Sequence, residues 1–110
     1  MLDKRKQYIY VLRLIPSLLN EANWTKREND AVERHFSRLQ ELLNKRVLIL
    51  AGKTEGLDEK TFGIVILQTS SFEEAQMLMQ SDPAVATGIM TAELYPYHIA
   101  LMQSDLPFID

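Results

Sequence analysis

Few residues in this chain can move a proton or grip an anion, and their neighbours decide what each can do. There are two histidines, His35 and His98, and no cysteine. Disulfides, thiolate metal sites and a cysteine nucleophile are therefore excluded. His35 stands within Glu33-Arg34-His35-Phe36-Ser37-Arg38-Leu39, at the edge of an apolar helical stripe. Two readings apply to it. An imidazole, with an unperturbed pKa of about 6.5, takes or gives a proton near neutrality; a histidine at a core edge also serves structurally by bonding a backbone carbonyl. Asp82 precedes Pro83, which suits a helix N-cap. A capping carboxylate can orient a histidine with its second oxygen, leaving the other ring nitrogen for substrate. No nucleophile accompanies the pair, so proton abstraction beside a carbonyl, or elimination, suits it better than acyl transfer.

Arg13, Tyr10 and Tyr95 are the candidates for binding a substrate. Arg13 fits a substrate carboxylate or a salt bridge between subunits. The tyrosines Tyr8, Tyr10, Tyr95 and Tyr97 could line a pocket with hydroxyls, although tyrosine on a strand usually packs. A metal site would need His35, His98 and Asp82 or Glu93 to converge, and no ligand-like spacing supports one. There is no Gly-rich phosphate loop, no G-x-S-x-G and no H-E-x-x-H, so no metal and no cofactor is expected.

The elements that must position these residues follow from periodicity. Residues 7–15 are rich in β-branched and aromatic types and close at Pro16, which predicts a first strand. Its alternation places Tyr8, Tyr10, Leu12 and Leu14 on one face and Ile9, Val11, Arg13 and Ile15 on the other. Residues 16–23 form a connection with a helical turn through Leu18 and Leu19. Thr25 and Glu28 make a T-x-x-E capping box, with Trp24 before it as a hydrophobic staple. The helix that follows runs to about Lys45, with Val32, Phe36, Leu39 and Leu43 as its apolar stripe, Ala31, His35 and Leu42 flanking it, and Arg27 and Arg38 lying away from it.

Val47–Ala51 is a short buried strand ending at Gly52, Lys53–Lys60 a polar loop or hairpin connection, and Phe62–Gln68 the next strand, in which Gly63 marks a close backbone approach. Ser71 and Glu74 give a second capping box. Asp82-Pro83 stops that helix and starts a short one that ends at Gly88 in the left-handed region. A last strand spans about Met90 to Tyr97, and the tail from Leu101 to Asp110 has weak periodicity. Strand, helix, strand, strand, helix, strand is the ferredoxin-like βαββαβ pattern: an α+β fold with an antiparallel sheet and helices on one face.

Four strands built largely from Ile, Val, Leu and Tyr would expose an apolar sheet face in a monomer. A homodimer through that face is expected. The 110 residues are 46% hydrophobic and 25% charged, which fits a single globular domain over residues 1–110. A net charge of -3 supplies no field for a nucleic-acid backbone, and Lys4-Arg5-Lys6 and Lys26-Arg27 are short and balanced by nearby acids. The start carries no signal-peptide pattern, and no apolar stretch approaches the roughly 20 residues that span a bilayer. Neither nucleic acid nor membrane is an expected partner, and the cytoplasm is the default location.

The residues from 7 to 98 resemble the YCII-related (YciI-like) family. The helix-borne histidine of Glu33–Leu39 is followed by a strand ending Leu50-Ala51-Gly52. Phe72-Glu73-Glu74-Ala75 and Ser81-Asp82-Pro83 match the family's "eeA…DP" signature, and Gly88 and the strand from Glu93 to Tyr95 complete the order. The resemblance implies a dimeric α/β barrel and a site built on a histidine and an aspartate, here His35 and Asp82. Related barrels include isomerases, lyases and monooxygenases of small organic acids and aromatics. The chain departs from the pattern in a longer Ser17–Trp24 connection, and where the family commonly has glycine before the second strand it has Asn44 or Lys45. Two functions stand: a cofactor-free lyase or isomerase using His35 and Asp82, and a non-catalytic module binding a small ligand or partner.

Overall fold

The computed structural model describes residues 5–103. Strand β1, Lys6–Leu14, lies inside the sheet, paired antiparallel with β3, Gly63–Thr69, on one side and β4, Met90–Tyr97, on the other. Strand β2, Leu48–Lys53, pairs antiparallel with β3, giving the order β2-β3-β1-β4. Helix α1, Lys26–Asn44, joins β1 to β2. Helix α2, Phe72–Ser81, and the short α3, Pro83–Ala86, join β3 to β4. This is the ferredoxin-like α+β arrangement, an antiparallel sheet covered by helices on one face.

The two-residue alternation of β1 decides what goes where. Tyr8, Tyr10 and Leu12 are buried beneath the helices with Val65 and Leu67 of β3, against Leu39, Leu42, Ala75 and Met79. The intervening residues Ile9, Val11 and Arg13 face the other side, where the register sets them beside Ile66, Ile64, Tyr95, Glu93 and Thr91.

Helix α1 is turned relative to the expected stripe. Its buried residues are Glu28, Ala31, Leu39 and Leu42, whereas Phe36 and Leu43 are exposed. His35 thus sits within the packed face, not at its edge. The reason is steric and polar. Ala31 and Ala84 have no exposed surface and let α1 approach α3 closely, while Glu28 and His35 enter the interface because their polar atoms find partners. Arg27 and Arg38 also belong to this side. Arg27 donates to the Thr87 carbonyl at 2.9 Å, and Arg38 donates to the Ser81 carbonyl at 3.2 Å and its hydroxyl at 2.8 Å. Helix α1 is thereby stapled to both ends of the short Ser81–Thr87 segment.

The helix ends explain the loops. The Thr25 N–H donates to Glu28 Oε1 at 2.8 Å, as expected of the first box. Trp24 makes no staple with the residue facing it, the polar Asn29; it packs instead with the cluster of Leu18 and Ala31 and donates its indole N–H to the Leu18 carbonyl at 2.8 Å. At the far end Val47 N–H reaches Leu42 O at 2.9 Å and Arg46 N–H reaches Leu43 O at 3.0 Å, a Schellman ending. Its left-handed residue is Arg46, φ 62°, so the position that favours glycine lies beyond Asn44 and Lys45. The second box is half formed: Ser71 Oγ accepts the Glu74 N–H at 3.1 Å, but the Glu74 carboxylate turns to the Ser70 N–H at 2.9 Å. Gly88 ends α3 at φ 80°.

Among the described residues no helix is long and apolar enough to cross a membrane. Leu101–Gln103 carry no regular structure; the rest of the tail lies outside the described residues.

Candidate active site

Asp82 is both the last capping residue of the α2–α3 junction and the centre of a polar knot. Its backbone stops α2, Pro83 fixes the first turn of α3, and Oδ1 accepts the Ala84 N–H at 3.0 Å. That much is ordinary capping. The remaining bonds are not local. Oδ1 also lies 2.6 Å from His35 Nδ1 on α1, and Oδ2 accepts the Tyr10 hydroxyl at 2.7 Å from β1. The carboxyl group is 1% exposed, and three donors offset the cost of taking it from water. A carboxylate offers only acceptors, so the His35 nitrogen facing it carries the proton. The basic lone pair then belongs to Nε2.

Tyr10 is likewise 1% exposed. Its phenol is held above the ordinary tyrosine range, first by burial and then by the charge and hydrogen bond of Asp82, so it remains a donor. The sequence suggested that Tyr10 contacts substrate; the structure turns its hydroxyl into the protein. The Arg38 guanidinium is the nearby positive charge acting on it.

His35 is also part of the wall of a cleft of about 740 Å³ between α1 and the end of the sheet formed by β1, β2 and β3. That is an ordinary size for a small-molecule site. Its lining is mainly apolar, with Trp24, Phe36 and Phe62 as aromatic surfaces, and Glu21 and Lys53 as its charged residues. Neither Asp82 nor Tyr10 lines it. Among the described residues no buried side-chain nitrogen or oxygen lacks a partner, and none of them hydrogen-bonds to Nε2, so that nitrogen is not sealed in the core and belongs to a residue of the cleft wall. The long connection after β1, a departure from the family pattern, forms one wall through Leu19, Glu21 and Trp24. At Gly63 an added Cβ would meet Gly52 O at 3.4 Å and Leu12 Cβ at 3.8 Å, the close backbone approach expected there.

The other sequence candidates lie elsewhere. Arg13 and Tyr95 are exposed on the opposite sheet face, so within one chain they do not join His35 and Asp82. Arg13 stacks 5.2 Å from the Phe62 ring centre, and the Tyr95 hydroxyl donates to Glu93 at 2.9 Å. That bond raises the Tyr95 phenol above its usual range. His98 is exposed and borders a separate groove at the other end of β1 with Lys6 and Tyr97. His35, His98, Asp82 and Glu93 do not converge, and no three metal-ligating side chains cluster among the described residues.

A ferredoxin-like sheet with a histidine and an aspartate joined beside an open cleft defines a small α+β protein of a recognisable class. The model of the YCII-related domain matches residues 9–97, and the chain belongs to that family. No curated protein matches. Among solved structures the chain is similar to 5-chloro-2-hydroxyhydroquinone dehydrochlorinase (TftG) from Burkholderia phenoliruptrix AC1100, in complex with 2,5-dihydroxybenzoquinone. The TM-score is 0.63 at 19% identity, covering 84% of this chain and 93% of that one. At that identity the likeness speaks for the fold.

Proposed function

We propose that this protein is a cofactor-free lyase or isomerase that moves a proton on a small aromatic-derived or organic-acid substrate, with His35 as the base. The observation that carries this reading is the fixed imidazole. Nδ1 is committed to a buried carboxylate at 2.6 Å, while the same residue lines a cleft of about 740 Å³. A histidine serving only the core would not need an opening beside its second nitrogen.

The chemistry follows from that geometry. Nε2 takes a proton from a hydroxyl or from a carbon beside a carbonyl, and Asp82 stabilises the imidazolium that results. The released electron pair moves toward the ring or carbonyl. It either expels a leaving group with its bonding pair, which is elimination, or is reprotonated at another atom, which is isomerisation. Trp24, Phe36 and Phe62 offer flat apolar surfaces to a ring. Phe36 is 65% exposed next to His35, where a planar ligand would cover it. That a protein of like fold is a dehydrochlorinase, seen in complex with a dihydroxybenzoquinone, adds support for a quinoid or hydroxylated aromatic substrate.

The reading includes a homodimer through the outer sheet face, where Ile9, Val11, Ile64 and the exposed Leu50 and Tyr95 form an apolar field. Sedimentation velocity should give twice the chain mass, and Val11→Glu should halve it; a wild-type monomer at micromolar concentration would refute the dimer. A cysteine-free chain suits a reducing compartment, and we place the reaction in the cytoplasm.

Turnover is tested by absorbance on a panel of halogenated hydroxyhydroquinones, hydroxybenzoquinones and lactones. His35→Ala should lower kcat by about 100-fold or more, as loss of a general base does. Equal turnover by wild type and H35A would exclude His35 as the base. Tight ligand binding with no turnover by either would favour the binding-module reading.

A further inference from the structure

Accepting His35 as the base, we infer that Tyr10 is a positioning residue: acting through Asp82, its hydroxyl fixes the ring orientation and tautomer of His35 that leave Nε2 facing the cleft. Three observations carry this. Tyr10 forms no part of the cleft wall, although Leu12 and Leu14, next on the same strand face, do. Among the described residues its hydroxyl has a single partner, Asp82 Oδ2, at 2.7 Å. Asp82 Oδ1, in contrast, is shared by His35 Nδ1 and the Ala84 N–H.

Remove the phenol oxygen, and Oδ2 becomes a buried carboxylate oxygen with no donor. The carboxyl group then gains by rotating or by redirecting its charge, and the single arrangement presented to Nδ1 is lost. The tyrosine comes from β1, which is paired on both sides, so the anchor sits on an inner strand of the sheet. Its ring packs among Leu12, Val65 and Leu67, and a phenylalanine would satisfy that packing equally. The hydroxyl therefore serves Asp82, not the core. Outer partners that orient a working histidine are commonly worth about 10–100-fold around metals, and the geometry here is the same with substrate in place of metal.

The charged and titratable groups around Tyr10 are Asp82 from the α2–α3 junction and His35 and Arg38 from α1. The test reads the imidazole directly, so it does not depend on the substrate. In protein labelled with ¹⁵N-histidine, NMR should show His35 as the Nδ1–H tautomer in wild type. Tyr10→Phe should populate the Nε2–H tautomer and speed exchange of the Nδ1 proton by about tenfold. Tyr8→Phe, which removes another buried phenol on the same face, should leave both unchanged. An unaltered tautomer and exchange rate in folded Y10F would overturn the inference. Should Y10F not fold, 3-fluorotyrosine incorporation keeps the shape and strengthens the donor; the Nδ1 proton resonance should then shift, and its failure to shift would equally overturn the inference.

With a substrate in hand, Y10F should lower kcat about tenfold with KM unchanged, and should add little to Asp82→Asn. If H35A leaves turnover intact, the proposed reaction fails, while the NMR result still decides whether Tyr10 positions the ring.

Discussion

Two carboxylates among the described residues are buried, Glu28 and Asp82, and both cap helices. Their partners differ. Glu28 accepts from the backbone and hydroxyl of Thr25 and from Arg27 at 3.0 Å, all within three residues of itself. Asp82 needs only the Ala84 N–H to do the same work, yet it also takes His35 and Tyr10, 47 and 72 residues away in sequence. A cap closed by its neighbours is complete as structure. A cap that reaches across three elements to fix an imidazole beside an open cleft has more bonds than helix termination requires, and that surplus is what marks a site.

The sharpest way to break this contrast is to remove each carboxylate in turn. Asp82→Ala should cost about 3 kcal/mol or more in urea unfolding, because it deletes a cap and strands the buried Tyr10 hydroxyl and the His35 ring nitrogen together. Asp82→Asn keeps an oxygen for the Ala84 N–H and should cost about 1–2 kcal/mol. It should nonetheless weaken the His35 tautomer preference, since the oxygen that faces both the Ala84 N–H and Nδ1 then belongs to a neutral amide, a poorer acceptor than a carboxylate. Glu28→Ala should lower the urea midpoint by only a fraction of the D82A change and leave turnover per folded molecule untouched. Equal losses from D82A and E28A, with turnover preserved in D82N, would make both residues plain caps.

Much of this arrangement was legible because local chemistry and fold agree. Capping at Thr25, Ser71 and Asp82, the stop at Pro83 and the left-handed Gly88 each follow from one or two residues. Strand parity already put Tyr10 on the face with Tyr8 and Leu12. Missing was the destination of its hydroxyl, which depends on how α1 and the α2–α3 junction dock on the sheet. Hydropathy chose Val32, Phe36, Leu39 and Leu43 as the packed face of α1, because it scores Glu28, His35 and Arg38 as water-seeking. Those three pack because their partners are protein atoms. Ala31 against Ala84 sets the closeness of the helices, and alanine leaves little trace in a periodicity count. Arg13 and Tyr95 were grouped with the site by residue type, and the register of β1 with β4 puts them across the sheet from it.

The finest discrimination comes from pH. Hydrogen bonds from the Thr25 hydroxyl and backbone N–H, followed by smaller help from Arg27, hold the Glu28 carboxyl well below its ordinary value of 4.5, at about 2. The native state thus binds the Glu28 proton less readily than the unfolded chain does. The stabilisation is fully present above pH 4.5 and disappears as the pH falls toward 2. Glu28→Gln keeps the shape and a cap acceptor but has no such proton. The urea midpoint of wild type should therefore exceed that of E28Q at pH 7, and the gap should close between pH 4.5 and 2 while both remain folded. No gap at any pH across that range would mean that Glu28 stabilises α1 by its shape alone. Its charge would then have no part in the contrast with Asp82.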